Sequence, residues 1–217
     1  EKIHNLIFDN SVAGSIAVAN EIATLMKAKQ QTNSICILGL ATGSSPIKVY
    51  EELIRLHKED NLSFKNVVTF NLDEYFPMQH DDIQSYHYFM NEHLFKHIDI
   101  LPENINIPNG ECTVEKSHVL CAQYEEKIKN LGGIDFQLLG IGRTAHIGFN
   151  EPGSHINSGT RIITLDHITR VDASSDFNGI DNVPKRAITM GVSTILRSKR
   201  IVLMAWGQNK ADIIKRT

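Results

Sequence analysis

Apolar runs of strand length alternate along this chain with stretches of helical period, and that alternation restricts the fold more than any other feature. SICILGL (34 to 40), NVVTFNL (66 to 72), IDFQLLGIG (134 to 142) and RIVLMAW (200 to 206) are near-continuous runs rich in Ile, Val, Leu and Phe. Runs of this kind suit strands buried on both faces of a sheet. PIKVYEELIRLHKED (46 to 60) and VEKSHVLCAQYEEKIKNL (114 to 131) space their apolar residues as amphipathic helices do. Strand, helix and strand in succession predict an α/β fold with a mostly parallel sheet flanked by helices and right-handed crossovers. At 217 residues, 41% of them hydrophobic, the chain can bury the core of a single domain spanning 1 to 217. NKADIIKRT stops within a helical pattern, so a further C-terminal segment is expected.

Several function classes fall away on composition. A formal net charge of -3, with no block of like charge, leaves no electrostatic footprint for nucleic acid. EKIHNLIFDN has no basic region followed by an apolar one, and the longest apolar stretches are too short to span a bilayer, so a cytoplasmic protein is expected. Cys36, Cys112 and Cys121 show no CxxC spacing and read as reduced structural residues. The expected partner is a small molecule.

In a parallel sheet, ligands bind in the loops beyond the C-terminal ends of the strands. The first such loop, LGLATGSSP (38 to 46), places Thr42, Gly43, Ser44 and Ser45 at the start of a helix. Glycine lets the backbone approach a ligand, the hydroxyls donate, and the helix N-terminus offers free N–H groups: a phosphate cradle without a cation. No Gly-Lys-Ser/Thr follows, so this is not a nucleoside triphosphate loop. The alternative is a plain strand-to-helix turn, with Ser as N-cap and Pro46 at the first helical position. In NLDEYF (71 to 76), Asp73 and Glu74 follow a buried strand. A carboxylate partly desolvated there becomes basic enough to abstract a proton, although acidic turn residues are common.

The stretch LLGIGRTAHIGFNEPGSH (138 to 155) admits more readings. GIGRTA fits the dinucleotide pattern G-x-G-x-x-G/A, but Gly148, Pro152 and Gly153 leave too little sequence for the helix that pattern needs. His146, Glu151 and His155 could be recruited by a metal, yet their spacing fits neither H-E-x-x-H nor a compact facial triad. The remaining choices are a buried core histidine or a His146–Glu151 pair in which the carboxylate orients the imidazole.

LGLATGSSP, VVTFNLDEY and LGIGRTAHIGFNEPGS, in that order and spacing, resemble the glucosamine-6-phosphate deaminase/isomerase family, and the resemblance runs on through TRIITLDHITR and VPKRAITMGVSTIL to GQNKA. It implies a Rossmann-like α/β fold and conversion of glucosamine 6-phosphate to fructose 6-phosphate and ammonia, with no metal or organic cofactor. The protein could be a homo-oligomer, since relatives occur as monomers and hexamers. By the same resemblance Asp73 matches the enolisation base, His146 and Glu151 the ring-opening pair, Thr42 to Ser45 the phosphate loop, and Lys210 a phosphate-binding lysine.

This chain also departs from the family pattern. Thr144 stands where the third ring-opening residue is often Asp or Asn, and Ala145 where Gly is usual. A threonine cannot hold the histidine by charge, so Thr144 is left out of the catalytic set. Ser175 falls where some members have a phosphate-contacting arginine. Arg161 matches a residue of an allosteric site whose lysine is replaced here by Ile163, so activation by an N-acetylated sugar phosphate is not expected. The rival readings are a 6-phosphogluconolactonase-like hydrolase and a sugar-phosphate sensor without catalysis.

Overall fold

The computed structural model describes residues 3 to 216. In chain order the regular elements are α1 (Ser11–Gln31), β1 (Cys36–Leu40), α2 (Ile47–Glu59), β2 (Val67–Asn71), β3 (Asp73–Phe76), α3 (Tyr86–His93), β4 (Ile105–Asn106), α4 (Val114–Asn130), β5 (Phe136–Gly140), β6 (Arg161–Thr164), α5 (His167–Ala173), β7 (Arg186–Thr189), α6 (Val192–Leu196), β8 (Arg200–Met204) and α7 (Ala211–Arg216). Five strands form a parallel sheet in the order β4-β2-β1-β5-β8, and the other three form an antiparallel sheet in the order β3-β7-β6.

Alternation along β1 explains the layering. Leu38 and Leu40 pack on one face against Ile22 and Met26 of α1, Val49, Tyr50 and Leu53 of α2, and Met90 of α3. Ile37, on the other face, joins Val68, Phe70 and Leu139 beneath Ile128 of α4 and Ile195 of α6. Every residue of β1 and β2 is buried, as the apolar runs predict. Each large side chain in this double-faced core is worth ~2–5 kcal/mol against truncation to alanine. The three cysteines are free, and no helix among the described residues is long and apolar enough to cross a membrane.

Three expectations need correction. Strand β8 is not buried on both faces: it is an edge strand, and Leu203 is 42% exposed. Helix α2 begins one residue later than a proline at its first position would require, with Pro46 itself as the cap and no side-chain capping bond. The run from 66 onwards does not end in a turn at Asp73. After one intervening residue, Leu72, the backbone re-enters extended structure as β3 and pairs antiparallel with β7, Asp73 opposite Thr189. Leu72 is the joint between the sheets: its N–H donates to Leu40 O and its carbonyl accepts from Met190 N.

Candidate active site

The C-terminal ends of β1, β2 and β5 and the start of β3 meet at a cleft of about 240 Å³, lined by Thr42 to Ser45, Asp73, Tyr86, Gly142, His146, Gly148 and Lys210 among others. Seven of the eight residues singled out from the sequence thus face one space, and the eighth, Glu151, stands directly behind His146.

The loop after β1 reaches the cleft because Gly43 takes a left-handed turn at φ 88°. Helix α2 starts two residues after Ser45, and a helix leaves its opening N–H groups without internal partners. The loop is pinned from outside: Tyr50 Oη donates to Ala41 O at 2.5 Å and Trp206 Nε1 to Ser45 O at 3.3 Å. Lys210 is the one cationic residue lining the cleft among the described residues, and its Nζ is steered by a 2.7 Å bond to Ile141 O.

Opposite the loop lies Asp73, 5% exposed. Burial, reinforced by the charge of Glu74, pushes its pKa from the usual carboxylate range up to about 8. Gly148 makes room for it: a Cβ there would lie 3.2 Å from Asp73 Oδ2 and 3.0 Å from Thr189 Oγ1. Glu74, next along the strand, points to the opposite face. It is fully buried and accepts hydrogen bonds from the backbone N–H groups of Tyr75, Tyr86 and His87 and lies 2.9 Å from His87 Nδ1. Because Tyr86 and His87 open α3, Glu74 holds that helix by its N-terminus.

The loop after β5 brings His146 over Gly142, whose absent side chain is what the ring requires: a Cβ there would sit 2.1 Å from His146 Nε2. Within GIGRTA, Gly142 therefore seats an imidazole, while Gly140 faces Ser45. His146 Nδ1 lies 3.1 Å from Glu151 Oε1, and burial holds the imidazole pKa below its usual value despite that carboxylate. His155 takes no part, being exposed and accepting from Asn157 N of its own turn. Among the described residues no group of three or more His, Cys, Asp or Glu is placed to hold a metal.

Thr144, set aside on sequence, belongs to this arrangement. Its Oγ1 donates to Glu151 Oε2 at 2.5 Å and lies 2.8 Å from His146 Nδ1. Two residues were missed altogether. Tyr86 lines the cleft from the first position of α3, and Thr169, in the first turn of α5, donates to Glu151 Oε1 at 2.8 Å. Nothing in TLDHITR marks that threonine, since its role depends on where α5 packs. Arg161 is occupied within the fold, its Nη1 bonding Asn150 Oδ1 and Gly159 O.

A family model described as glucosamine-6-phosphate isomerases/6-phosphogluconolactonase matches residues 10–217. The chain belongs to this family. Within it, glucosamine-6-phosphate deaminase 1 of Bacillus subtilis is 49% identical over 83% of this chain and 74% of its own length. A glucosamine-6-phosphate deaminase-like protein of Bacteroides thetaiotaomicron is 47% identical over 99% of this chain, which spans only 32% of that protein's length. Among solved structures, a monomeric glucosamine-6-phosphate deaminase superposes with a TM-score of 0.91 at 44% identity, covering 96% of this chain and 84% of its own. The 6-phosphogluconolactonase of Thermotoga maritima, with a TM-score of 0.72 and 21% identity over 98% of this chain and 87% of its own, shares the fold.

Proposed function

We propose that this chain is a glucosamine-6-phosphate deaminase, converting glucosamine 6-phosphate to fructose 6-phosphate and ammonia in the cytoplasm, with residues 1 to 217 acting as one catalytic domain. The observation that carries the reading is a buried carboxylate with a raised pKa, Asp73, in the same cleft as a hydroxyl-rich glycine loop, a lysine and a histidine. Identity of 44–49% to proteins named as deaminases supports it over the lactonase alternative, whose structural likeness extends to the fold alone.

The chemistry follows from the parts. Thr42 to Ser45, the N-terminus of α2 and Lys210 take the phosphate, whose remote binding energy fixes the sugar over Asp73. His146, neutral and backed by Glu151, moves a proton from the C1 hydroxyl to the ring oxygen, opening the ring. Asp73 then takes the C2 proton as O1 gains a proton, giving an enolamine, and returns its proton to C1 as the amine nitrogen releases one, which leaves a C1 hydroxyl and an imine at C2. Water adds to that carbon and ammonia departs, giving the ketose. The site needs no redox partner, and neither nucleic acid nor membrane has a role.

The test is to offer the purified protein glucosamine 6-phosphate and 6-phosphogluconolactone side by side. Ammonia release from the first supports the proposal. Hydrolysis of the lactone without ammonia overturns it in favour of a lactonase, and binding without either product overturns it in favour of a sensor.

A further inference from the structure

The surroundings of Glu151 contain more than a histidine and its carboxylate. Thr144 Oγ1 lies 2.5 Å from Glu151 Oε2, and Thr169 Oγ1 lies 2.8 Å from Glu151 Oε1, so each carboxylate oxygen carries its own hydroxyl. A carboxylate has no hydrogen to give, and a threonine hydroxyl has one. Both hydroxyl hydrogens are therefore spent on Glu151, and what the two threonines turn towards His146 is lone pairs. His146 Nδ1 faces three acceptors: Glu151 Oε1 at 3.1 Å, Thr144 Oγ1 at 2.8 Å and Thr169 Oγ1 at 3.4 Å. With acceptors alone around it, Nδ1 must carry the ring hydrogen, which leaves Nε2 bare above Gly142 and turned to the cleft.

We infer that Thr169 is a positioning residue which, with Thr144, clamps Glu151 and so fixes His146 as the Nδ1–H tautomer with Nε2 as the cleft-facing base. Thr169 suits the task because it does not move freely. It is 8% exposed and sits on a helix whose N-cap, Asp166, accepts from Ile168 N. The next residue, Arg170, ties that helix to the carbonyls of Ile180 and Val183. The clamp joins the loop after β5 to helix α5, so it also sets the height of the imidazole. A pair of neutral hydroxyls does here by geometry and proton count what a further charged group would do by attraction.

This inference rests on the ring-opening reading of His146 and Glu151, and the experiment separates the two. Protein labelled with 15N in histidine is compared as wild type, Thr169→Val and Thr169→Ser, with the His146 signals assigned by their loss in His146→Gln. Valine keeps the shape and removes the hydroxyl, while serine keeps the hydroxyl. Wild type and Thr169→Ser are expected to show Nδ1 protonated and Nε2 bare, and Thr169→Val a mixture of tautomers. Turnover of glucosamine 6-phosphate in Thr169→Val is expected to fall about tenfold in kcat with KM unchanged, the size expected for one hydrogen bond to a charged group, and to recover in Thr169→Ser. If the tautomer is the same in all three proteins, the clamp is overturned whatever the kinetics. If the tautomer shifts in Thr169→Val while kcat holds, the clamp stands and the ring-opening role of His146 falls.

Discussion

The two faces of β3 hold two adjacent carboxylates in opposite circumstances. On the face turned to α3, Glu74 is saturated: backbone N–H groups from its own strand and from the start of the helix converge on it. On the face turned to the cleft, Asp73 is also buried, yet among the described residues no side-chain hydrogen bond offsets its burial, and its proton is held up to about 8. Solvation separates them, not residue type. A buried carboxylate supplied with donors is fixed in place as a structural group, and one denied them holds its proton to higher pH.

Replacing Asp73 with Asn breaks that contrast at its functional end. Loss of a general base costs ~10²–10⁴ in rate, and exchange of the C2 hydrogen with deuterated solvent should vanish while sugar-phosphate binding survives. In the wild type, kcat/KM should climb with pH as Asp73 loses its proton, pass half its maximum near pH 8 and level off above it. A flat profile between pH 6 and 8 would remove Asp73 as the base. The same variant should be more stable than wild type. A carboxyl whose pKa is higher folded than unfolded imposes no charge-burial cost below about 3.8, and that cost grows until pH reaches about 8. The stability gained by Asp73→Asn must therefore grow with pH across that window, as read from urea midpoints. A gain that is constant in pH would contradict the raised pKa.

Lys210→Ala tests the other side of the cleft. Removing a charge-assisted contact costs ~1.5–3 kcal/mol, so KM for the phosphorylated sugar should rise by one to two orders of magnitude, and an unchanged KM would refute the phosphate assignment. Glu74→Gln should do the reverse of Asp73→Asn. It puts an N–H₂ among donors and should lower stability by ~1.5–3 kcal/mol while slowing the chemistry far less. A rate loss matching that of Asp73→Asn would dissolve the comparison. The smallest effect concerns Ala145, whose φ of 70° lies in the left-handed region. Ala145→Gly should gain about 1 kcal/mol, measurable as a higher urea midpoint.

How far the sequence could be read depended on whether the signal was local. The buried runs at 34 and 66 announce β1 and β2 because strands covered on both faces need no alternation. The run at 200 carries the same letters, yet β8 lies at an edge, and no local pattern distinguishes those positions. The small sheet was illegible because β6 and β7 have four residues each and β3 follows β2 after one residue, so the two strands merge into a single run. Asp73, His146, Glu151, Lys210 and the loop at 42 to 45 stood out through motif resemblance, and all lie in or directly behind one cleft. Thr144 was discounted because charge was the only hold considered, whereas its hydroxyl acts through hydrogen-bond geometry. Thr169 arrives from a helix 23 residues away from His146, a juxtaposition that only folding reveals.

Leu72 is the single residue between β2 and β3, and this makes chain length, and not merely chemistry, a determinant of which carboxylate faces the cleft. Successive residues of a strand face opposite ways, so one residue inserted or removed at that joint would exchange the carboxylates, turning Asp73 towards the helix and its neighbour's side towards the cleft. Substitutions here can be graded, but a change of length acts as a parity switch. A library of single-residue insertions and deletions across 70 to 74 should accordingly lose activity outright, where a side-chain library at Leu72 retains a range.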